Sequence, residues 1–240
     1  MNNNTKTKGV LAKAFIDAVV VTVMVSMLGF SSYLMLEPMA GFAATTATSQ
    51  FIVNQQITGE LSFLVSAANV TLAAIGGITG GDSEGYTGVR VYTNNSTGFT
   101  MTTAASNTPA MMGSASTSTI PNYVPSTANV PDFTFASSTS GQPSQFGYTV
   151  TASTTGDLSQ KFKDNGTTCN TGSSDTNGKT SCWYVLGTTA TSTIVTASAS
   201  AATGASSTMF FRVHVPANPS PSVISDTYFA TTTLTATTNP

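Results

Sequence analysis

The chain is short of charge. Its 240 residues include 8 Lys and Arg and 10 Asp and Glu. From Ala44 onward, five Lys or Arg stand against eight Asp or Glu. Proteins that bind nucleic acid cluster basic residues against the phosphates, so this balance argues against a nucleic-acid partner. Surfaces with little charge are also poor at keeping copies apart, which favours a chain that packs into an assembly.

Residues that carry catalysis are equally scarce. His214 is the only histidine, and its alternation with Val213 and Val215 predicts an exposed position on the polar face of a strand. The sequence has no GxSxG nucleophile motif and no grouping of the three protein ligands that catalytic zinc needs. We therefore expect a non-enzymatic protein.

Cysteine is limited to Cys169 and Cys182. Their spacing is not CxxC and no histidine lies near them, which disfavours a redox or metal pair. In an exported chain the natural prediction is a disulfide between them. The chain-entropy estimate for a loop of this size is about 3 kcal/mol of stabilisation.

The N-terminal residues have the pattern of an export signal. Three lysines precede an uncharged, apolar run from Ala18 to Leu36, and Gly41-Phe42-Ala43 places small residues where a signal peptidase reads. We expect residues 1–43 to be a signal peptide, cleaved before Ala44, and residues 44–240 to be a β-sandwich domain. The expected location is extracellular, at the cell surface.

Two alternatives exist for this segment. The apolar run is long enough to cross a bilayer, so the first alternative is that it stays uncleaved as an anchor. It would then be the only part of the protein that contacts the membrane. Lys8-Gly9 before an apolar helix also resembles type IV prepilins, which would make the protein a pilin-like subunit. Ala14 stands where that family has glutamate, and Pro38 stops the helix early, so this alternative is less favoured.

Serine and threonine make up about a third of the chain from Ala44 onward, and β-branched threonine suits the half-solvated surface of a sheet. Apolar residues recur there with a period of two, typical of short strands separated by turns. About ten such strands predict an all-β, antiparallel sandwich. The stretch 106–129, rich in Pro, Ser and Thr, is predicted to be a long loop. The predicted strands lie near 51–55, 61–65, 70–72, 89–92, 99–102, 133–135, 146–150, 183–185, 191–196, 209–215 and 228–234.

Three phrases carry a family resemblance: Thr58-Gly59-Glu60-Leu61-Ser62-Phe63, the turn from Thr93 to Thr100, and the ending from Phe211-Arg212-Val213-His214-Val215 through Asp226-Thr227-Tyr228-Phe229-Ala230. Together they resemble immunoglobulin-like modules of bacterial secreted surface proteins, particularly those of the small-celled candidate phyla. The resemblance spans most of residues 44–240. It implies an immunoglobulin-like sandwich in a cell-surface setting, and it transfers no site residue.

We expect no cofactor; among cofactors, calcium is the least implausible, since oxygen ligands are plentiful. Two predicted loops offer them: Asp82 with Glu84, and Asp164, Asp175 and Asn177 around the cysteines. Neither loop has the spacing of an EF-hand. The favoured interpretation is that these residues are there as turn formers.

The favoured function is that of a structural protein that self-assembles into a surface layer, an appendage or an envelope coat. Its partners would be further copies of the chain or other surface proteins. The stretch from Ala44 to Gln50 would act as a donated strand, pairing with the sheet edge of a neighbour.

The alternative function is an adhesin or carbohydrate-binding module with glycan partners. In that hypothesis the loops 106–129 and 76–85 present the ligand surface. Exposed aromatic platforms would favour it. The sequence predicts instead that Tyr86, Tyr123 and Trp183 belong to the core or its rim.

Overall fold

A computed structural model describes residues 4–36, 50–175, 177–188 and 192–240. The chain forms two compact units, Met1–Gln56 and Ile57–Pro240. The first contains the helix α1 (Asn4–Leu36) and the second contains the strands, so the predicted all-β, antiparallel domain preceded by an apolar helix is confirmed. The strands are β1 (Leu61–Val65), β2 (Gly81–Thr93), β3 (Phe99–Ala105), β4 (Met111–Gly113), β5 (Thr119–Ile120), β6 (Gln145–Ala152), β7 (Ser192–Ala197), β8 (Ala201–Val215), β9 (Tyr228–Phe229) and β10 (Thr232–Thr238).

Helix α1 has the length and composition that membrane spans and signal sequences share. Its stretch Ala12–Ser31 has 20 residues and a mean hydropathy of 2.0. Thr22, Ser26 and Ser31 each donate a 2.8 Å hydrogen bond to the carbonyl four residues earlier. Because these hydroxyls are satisfied within the helix, they do not oppose its transfer into lipid.

The strands form three antiparallel sheets. The main sheet has the order β1-β2-β8-β6, the second sheet β10-β3-β7, and the small sheet β5-β4-β9. Strand β8 pairs with β2 from Ala201 to Val215 and with β6 from Ser207 to His214, so it is the central strand. The immunoglobulin-like topology stays a prediction.

The hydrophobic core lies between the main and second sheets. Alternate residues of β8 supply it, as the period-two pattern predicts: Met209, Phe211 and Val213 are each at most 8% exposed. The facing residues of β2 and β3 show the same alternation. From these two strands and β6, the core includes Val89, Val91, Phe99, Met101, Phe146, Tyr148 and Val150.

A second, aromatic cluster covers part of the outer face of the main sheet. It consists of Tyr123, Phe135 and Trp183, all at most 4% exposed. A Cβ at Gly147 of β6 would lie 2.9 Å from Tyr123 Cβ, so the glycine lets this layer approach the sheet closely. The predictions of strands at 133–135 and 183–185 are wrong. These stretches contribute isolated bridges instead, such as those of Asp132 with Trp183 and of Tyr184 with Tyr148.

Two other strand predictions are also wrong. Residues 51–55 are exposed and form no strand with any described part of the chain. Residues 70–72 are irregular as well. A Cβ at Gly85 would lie 2.5 Å from Val70 Cγ1 and 2.8 Å from Leu72 Cδ2, so these apolar side chains pack onto β2 without pairing with it.

The turn between β2 and β3 joins two sheets. The side chain of Asn95 donates to the carbonyls of Gly98 and Asn239, at 3.1 and 2.8 Å. Gly98 has φ +80°, and a Cβ there would lie 2.0 Å from the Ala197 carbonyl oxygen. The turn therefore directs β3 into the second sheet, beside β7 and β10.

Two boundaries differ from those predicted. The expected loop 106–129 contains β4 and β5, which pair with each other and, through β4, with β9. The closing strand predicted at 228–234 is divided into β9 and β10, which belong to different sheets. Short strands in a Ser- and Pro-rich stretch leave too little apolar periodicity to be recognised.

Candidate functional site

One side of the sandwich is closed by loops. The outer edge of β6 carries bridges from Phe146 to Asn122 and from Tyr148 to Tyr184. The outer edge of β7 carries a bridge from Val195 to Leu158, and Ser159 N–H donates to the Ile194 carbonyl at 2.9 Å. These edges have backbone partners already and are unsuited to pairing with another chain.

The opposite side is open. Among the described residues, β1 pairs only with β2, and β10 pairs only with β3. The inward side chains of these strands, including Leu61, Phe63, Leu234 and Ala236, pack on the core and stay partly exposed. We call β1 and β10 the open edges. They present backbone donors and acceptors next to apolar surface that water still reaches.

An exposed apolar segment precedes the sandwich, and we call residues 51–57 the exposed segment. Phe51 is 83% exposed, Val53 79% and Ile57 82%. In an extended chain these three side chains share one face, with Ile52, itself 86% exposed, on the other. Of the predicted donated strand, Ala44 and residues 45–49 lie outside the described residues, as does the predicted cleavage site, and Gln50 is exposed.

The cysteines form the disulfide that the sequence predicts. Cys169 and Cys182 have Cα atoms 5.5 Å apart, and both are buried at the edge of the core. Trp183, the next residue in the chain, belongs to the aromatic cluster on the outer face of the main sheet. A disulfide points to an oxidising environment.

The structure brings Asp164 and Asn177 together beside this disulfide. Asp164 is 1% exposed; its Oδ1 accepts the Gly166 N–H at 2.8 Å and its Oδ2 the Asn177 N–H at 3.4 Å. Asp175 Oδ2 accepts the Ala152 N–H at 3.4 Å. These contacts are those of turn-forming side chains. Within the described residues, no group of three or more His, Cys, Asp or Glu is arranged to hold a metal ion.

Asp82 and Glu84 lie on β2, because the strand begins at Gly81 inside the predicted loop. Asp82 Oδ1 lies 3.3 Å from Arg212 Nη2, and Glu84 Oε1 lies 3.5 Å from Arg212 Nη1. The guanidinium carbon of Arg212 in turn sits 4.9 Å from the centre of the Phe135 ring. Both carboxylates thus face a cation across the strand pair.

The prediction of an exposed His214 is wrong. The residue is 9% exposed, with Nδ1 2.8 Å from Asp82 Oδ1 and Nε2 2.9 Å from the Ser138 carbonyl oxygen. The segment that contains Ser138 covers this end of the main sheet. A single sequence gives no signal for such a cover, since strand alternation reports only which face a side chain occupies.

Two carboxylates that the sequence did not single out hold loops in place. Asp226 accepts hydrogen bonds from Ser114, Ala115, Ser116 and Thr227, which lower the pKa of its carboxyl below the usual range. These bonds fix the chain beside the small sheet. The Ser-x-Ser spacing of 114 and 116 is the only local signal, and it does not identify the acceptor.

Asp132 likewise holds a loop in place by accepting hydrogen bonds, in this case beside the aromatic cluster. It accepts from the Ser126 N–H at 2.9 Å and from the Tyr123 hydroxyl at 2.5 Å. Burial and this bond raise the pKa of Tyr123. The residues 121–136 are therefore fastened to the outer face of the main sheet.

A partly buried chain of polar groups joins the two large sheets. Tyr148 of β6 and Ser192 of β7 are hydrogen-bonded at 2.9 Å, and Lys161 Nζ donates to Ser192 Oγ at 3.1 Å. Burial lowers the pKa of Lys161, whose ammonium lies 4.9 Å from the centre of the Tyr184 ring. This arrangement satisfies three polar groups where the sheets meet.

Comparisons of the chain with family models, with curated proteins and with solved structures gave no match. Functional inference therefore rests on the geometry described above.

Proposed function

We propose that this protein is an extracellular structural subunit that self-assembles at the cell surface, as part of a layer, an appendage or a coat. The observation that carries the proposal is the exposed segment. Phe51, Val53 and Ile57 are exposed in the isolated chain and would share one face if the segment became a strand. An exposed strand-forming segment without charge pairs readily with a sheet edge.

The open edges supply the acceptor. Strand β10 has seven residues, and its inward Leu234 and Ala236 are partly exposed. The exposed segment also has seven residues, from 51 to 57. Added to β10 of a second copy, it would extend the second sheet and cover this apolar rim with Phe51, Val53 and Ile57. In this proposal the donated strand consists of residues 51–57, whereas the sequence alone predicted it at residues 44–50.

Such pairing is heterologous, because the donor and acceptor surfaces differ. Repeated from copy to copy, it produces rings or open filaments. The low charge of the chain keeps electrostatic repulsion between copies small. An immunoglobulin-like module secreted to a bacterial surface is the setting that the family resemblance implies, and α1 would serve there as its signal peptide or its anchor.

The proposal is tested on the full chain in mild detergent, by sedimentation velocity over a range of concentrations and by electron microscopy. We expect the weight-average mass to rise with concentration and filaments or sheets to appear. Hydrogen exchange should show new protection in residues 51–57 and on β10 upon assembly. A monomer at every concentration, with both segments unprotected, would contradict the proposal.

A further inference from the structure

We propose that the outer face of the main sheet carries a binding site for a neutral saccharide, in a cleft that Phe210 forms with Asp175 and residues 177–180. The cleft has a volume of about 340 Å³, within the range of ligand pockets, which is about 300 to 1,000 Å³. Its lining includes Thr151, Asp175, Asn177, Lys179, Thr180 and Phe210. The site is separate from the open edges and does not depend on assembly.

An aromatic pair extends the surface from Phe210, which lines the cleft, to Tyr86 beside it. Tyr86 of β2 pairs in register with Phe210 of β8, and their ring centres lie 5.7 Å apart. Tyr86 is 69% exposed although it occupies the middle of a strand. The next outward position along β2 is Gly88, where an added Cβ would meet nothing within 4 Å. A flat ring with open space beside it is suited to stacking against the C–H face of a sugar.

Hydrogen bonds hold residues 178–181 of the opposite wall in place. The buried Thr149 hydroxyl donates to the carbonyls of Ser181 at 2.7 Å and Gly178 at 3.2 Å. Trp183 Nε1 donates to the Thr180 carbonyl at 3.1 Å. A Cβ at Gly178 would lie 2.5 Å from Thr151 Cγ2, so only glycine lets the loop approach β6 this closely. A wall fixed in this way binds a ligand at low entropic cost.

The chemistry of the wall favours a neutral polyhydroxyl ligand. Asp175 accepts hydrogen bonds and Lys179 donates them, while Asn177 and the hydroxyls of Thr151 and Thr180 do both. One carboxylate and one ammonium balance each other, so the cleft attracts neither anions nor cations selectively. Alternating donors and acceptors around an aromatic surface match the vicinal hydroxyls of a hexose. This site differs from the loops 106–129 and 76–85 of the original adhesin hypothesis.

The test uses the full chain in detergent and an array of neutral oligosaccharides built from hexoses and N-acetylhexosamines, followed by saturation-transfer NMR with the best sugars. We expect binding of at least one neutral sugar at millimolar concentration. Tyr86→Ala should weaken it between about twofold and tenfold, the value of one aromatic contact. Asp175→Ala should weaken it at least about tenfold, the value of a hydrogen bond to a charged group.

Phe229→Ala is the matched control, since Phe229 is an aromatic residue 48% exposed on β9, outside the cleft. It should leave affinity unchanged, and the circular dichroism of all three variants should match that of the parent. Absence of binding across the array would overturn the proposal. So would a preference for acidic sugars alone, or equal affinities in the parent and Tyr86→Ala.

Discussion

If the exposed segment joins a neighbour as a strand, the effect of a substitution depends on whether its position is odd or even. Val53, 79% exposed in the isolated chain, would face the apolar rim of the partner. Burying such a side chain contributes about 1.5 to 3 kcal/mol. Val53→Asn forfeits that gain and buries an amide, so we expect a loss of about 2 to 3 kcal/mol per contact, or about 30- to 150-fold in affinity.

Ile52→Asn is the matched control. Ile52 is 86% exposed, adjacent in sequence and equally apolar, yet it faces away from the rim in the same strand. We expect its affinity to change by less than about twofold, since surface substitutions are usually within about 0.5 kcal/mol. Sedimentation velocity and light scattering of the two variants at matched concentrations make the comparison. Equal losses at 52 and 53 would refute strand pairing as the mode of contact.

Three further outcomes concern stability. Replacing both Cys169 and Cys182 by Ser should lower the free energy of unfolding by about 3 kcal/mol, measured by urea denaturation, with the parent under reducing conditions behaving alike. Gly98→Ala should lower the free energy of unfolding by at least about 2 kcal/mol, because its φ is +80° and its Cβ would meet the Ala197 carbonyl. The control Gly88→Ala, in open space, should change stability by less than about 0.5 kcal/mol. Similar urea midpoints for the two variants would contradict this prediction. Because the pKa of Asp226 is lowered in the folded state, its stabilising effect is present at neutral pH and declines as acidification protonates the folded carboxyl. The stability difference between the parent and Asp226→Asn should therefore shrink toward low pH, and a difference independent of pH would disprove that origin.

The sequence identified most clearly the strands in which apolar residues facing the core alternate with more polar ones. Residues 209–215 alternate clearly because β8 lies over the core on one face. Prediction from the sequence failed where apolar residues alternate without such a core-facing strand. Phe51 to Gln55 alternates equally well and forms no strand within the described residues, since a periodic pattern carries no information about whether its partner is in the same chain.

The candidate sites were harder to foresee, because each depends on contacts between distant residues. The disulfide needed only two cysteines and an export signal. The burial of His214 needed the cover from Ser138, and the saccharide cleft needed the pairing of Tyr86 with Phe210 and the fixing of Gly178 beside Thr151. None of these pairings leaves a periodic trace, so a single sequence cannot reveal them.

Strand β8 is covered on both faces, which separates a stable centre of the domain from less stable edges. Its residues 210–215 have the main core on one face and the aromatic cluster or its neighbours on the other, and both edges of the strand are paired. Within the part of the chain that the structure describes, the open edges β1 and β10 have a strand partner on one side only. Hydrogen exchange should consequently be slowest in β8 and fastest at β1 and β10. If the chain assembles as proposed above, such a subunit would keep its central strand intact while its open edges rearrange to admit a neighbour.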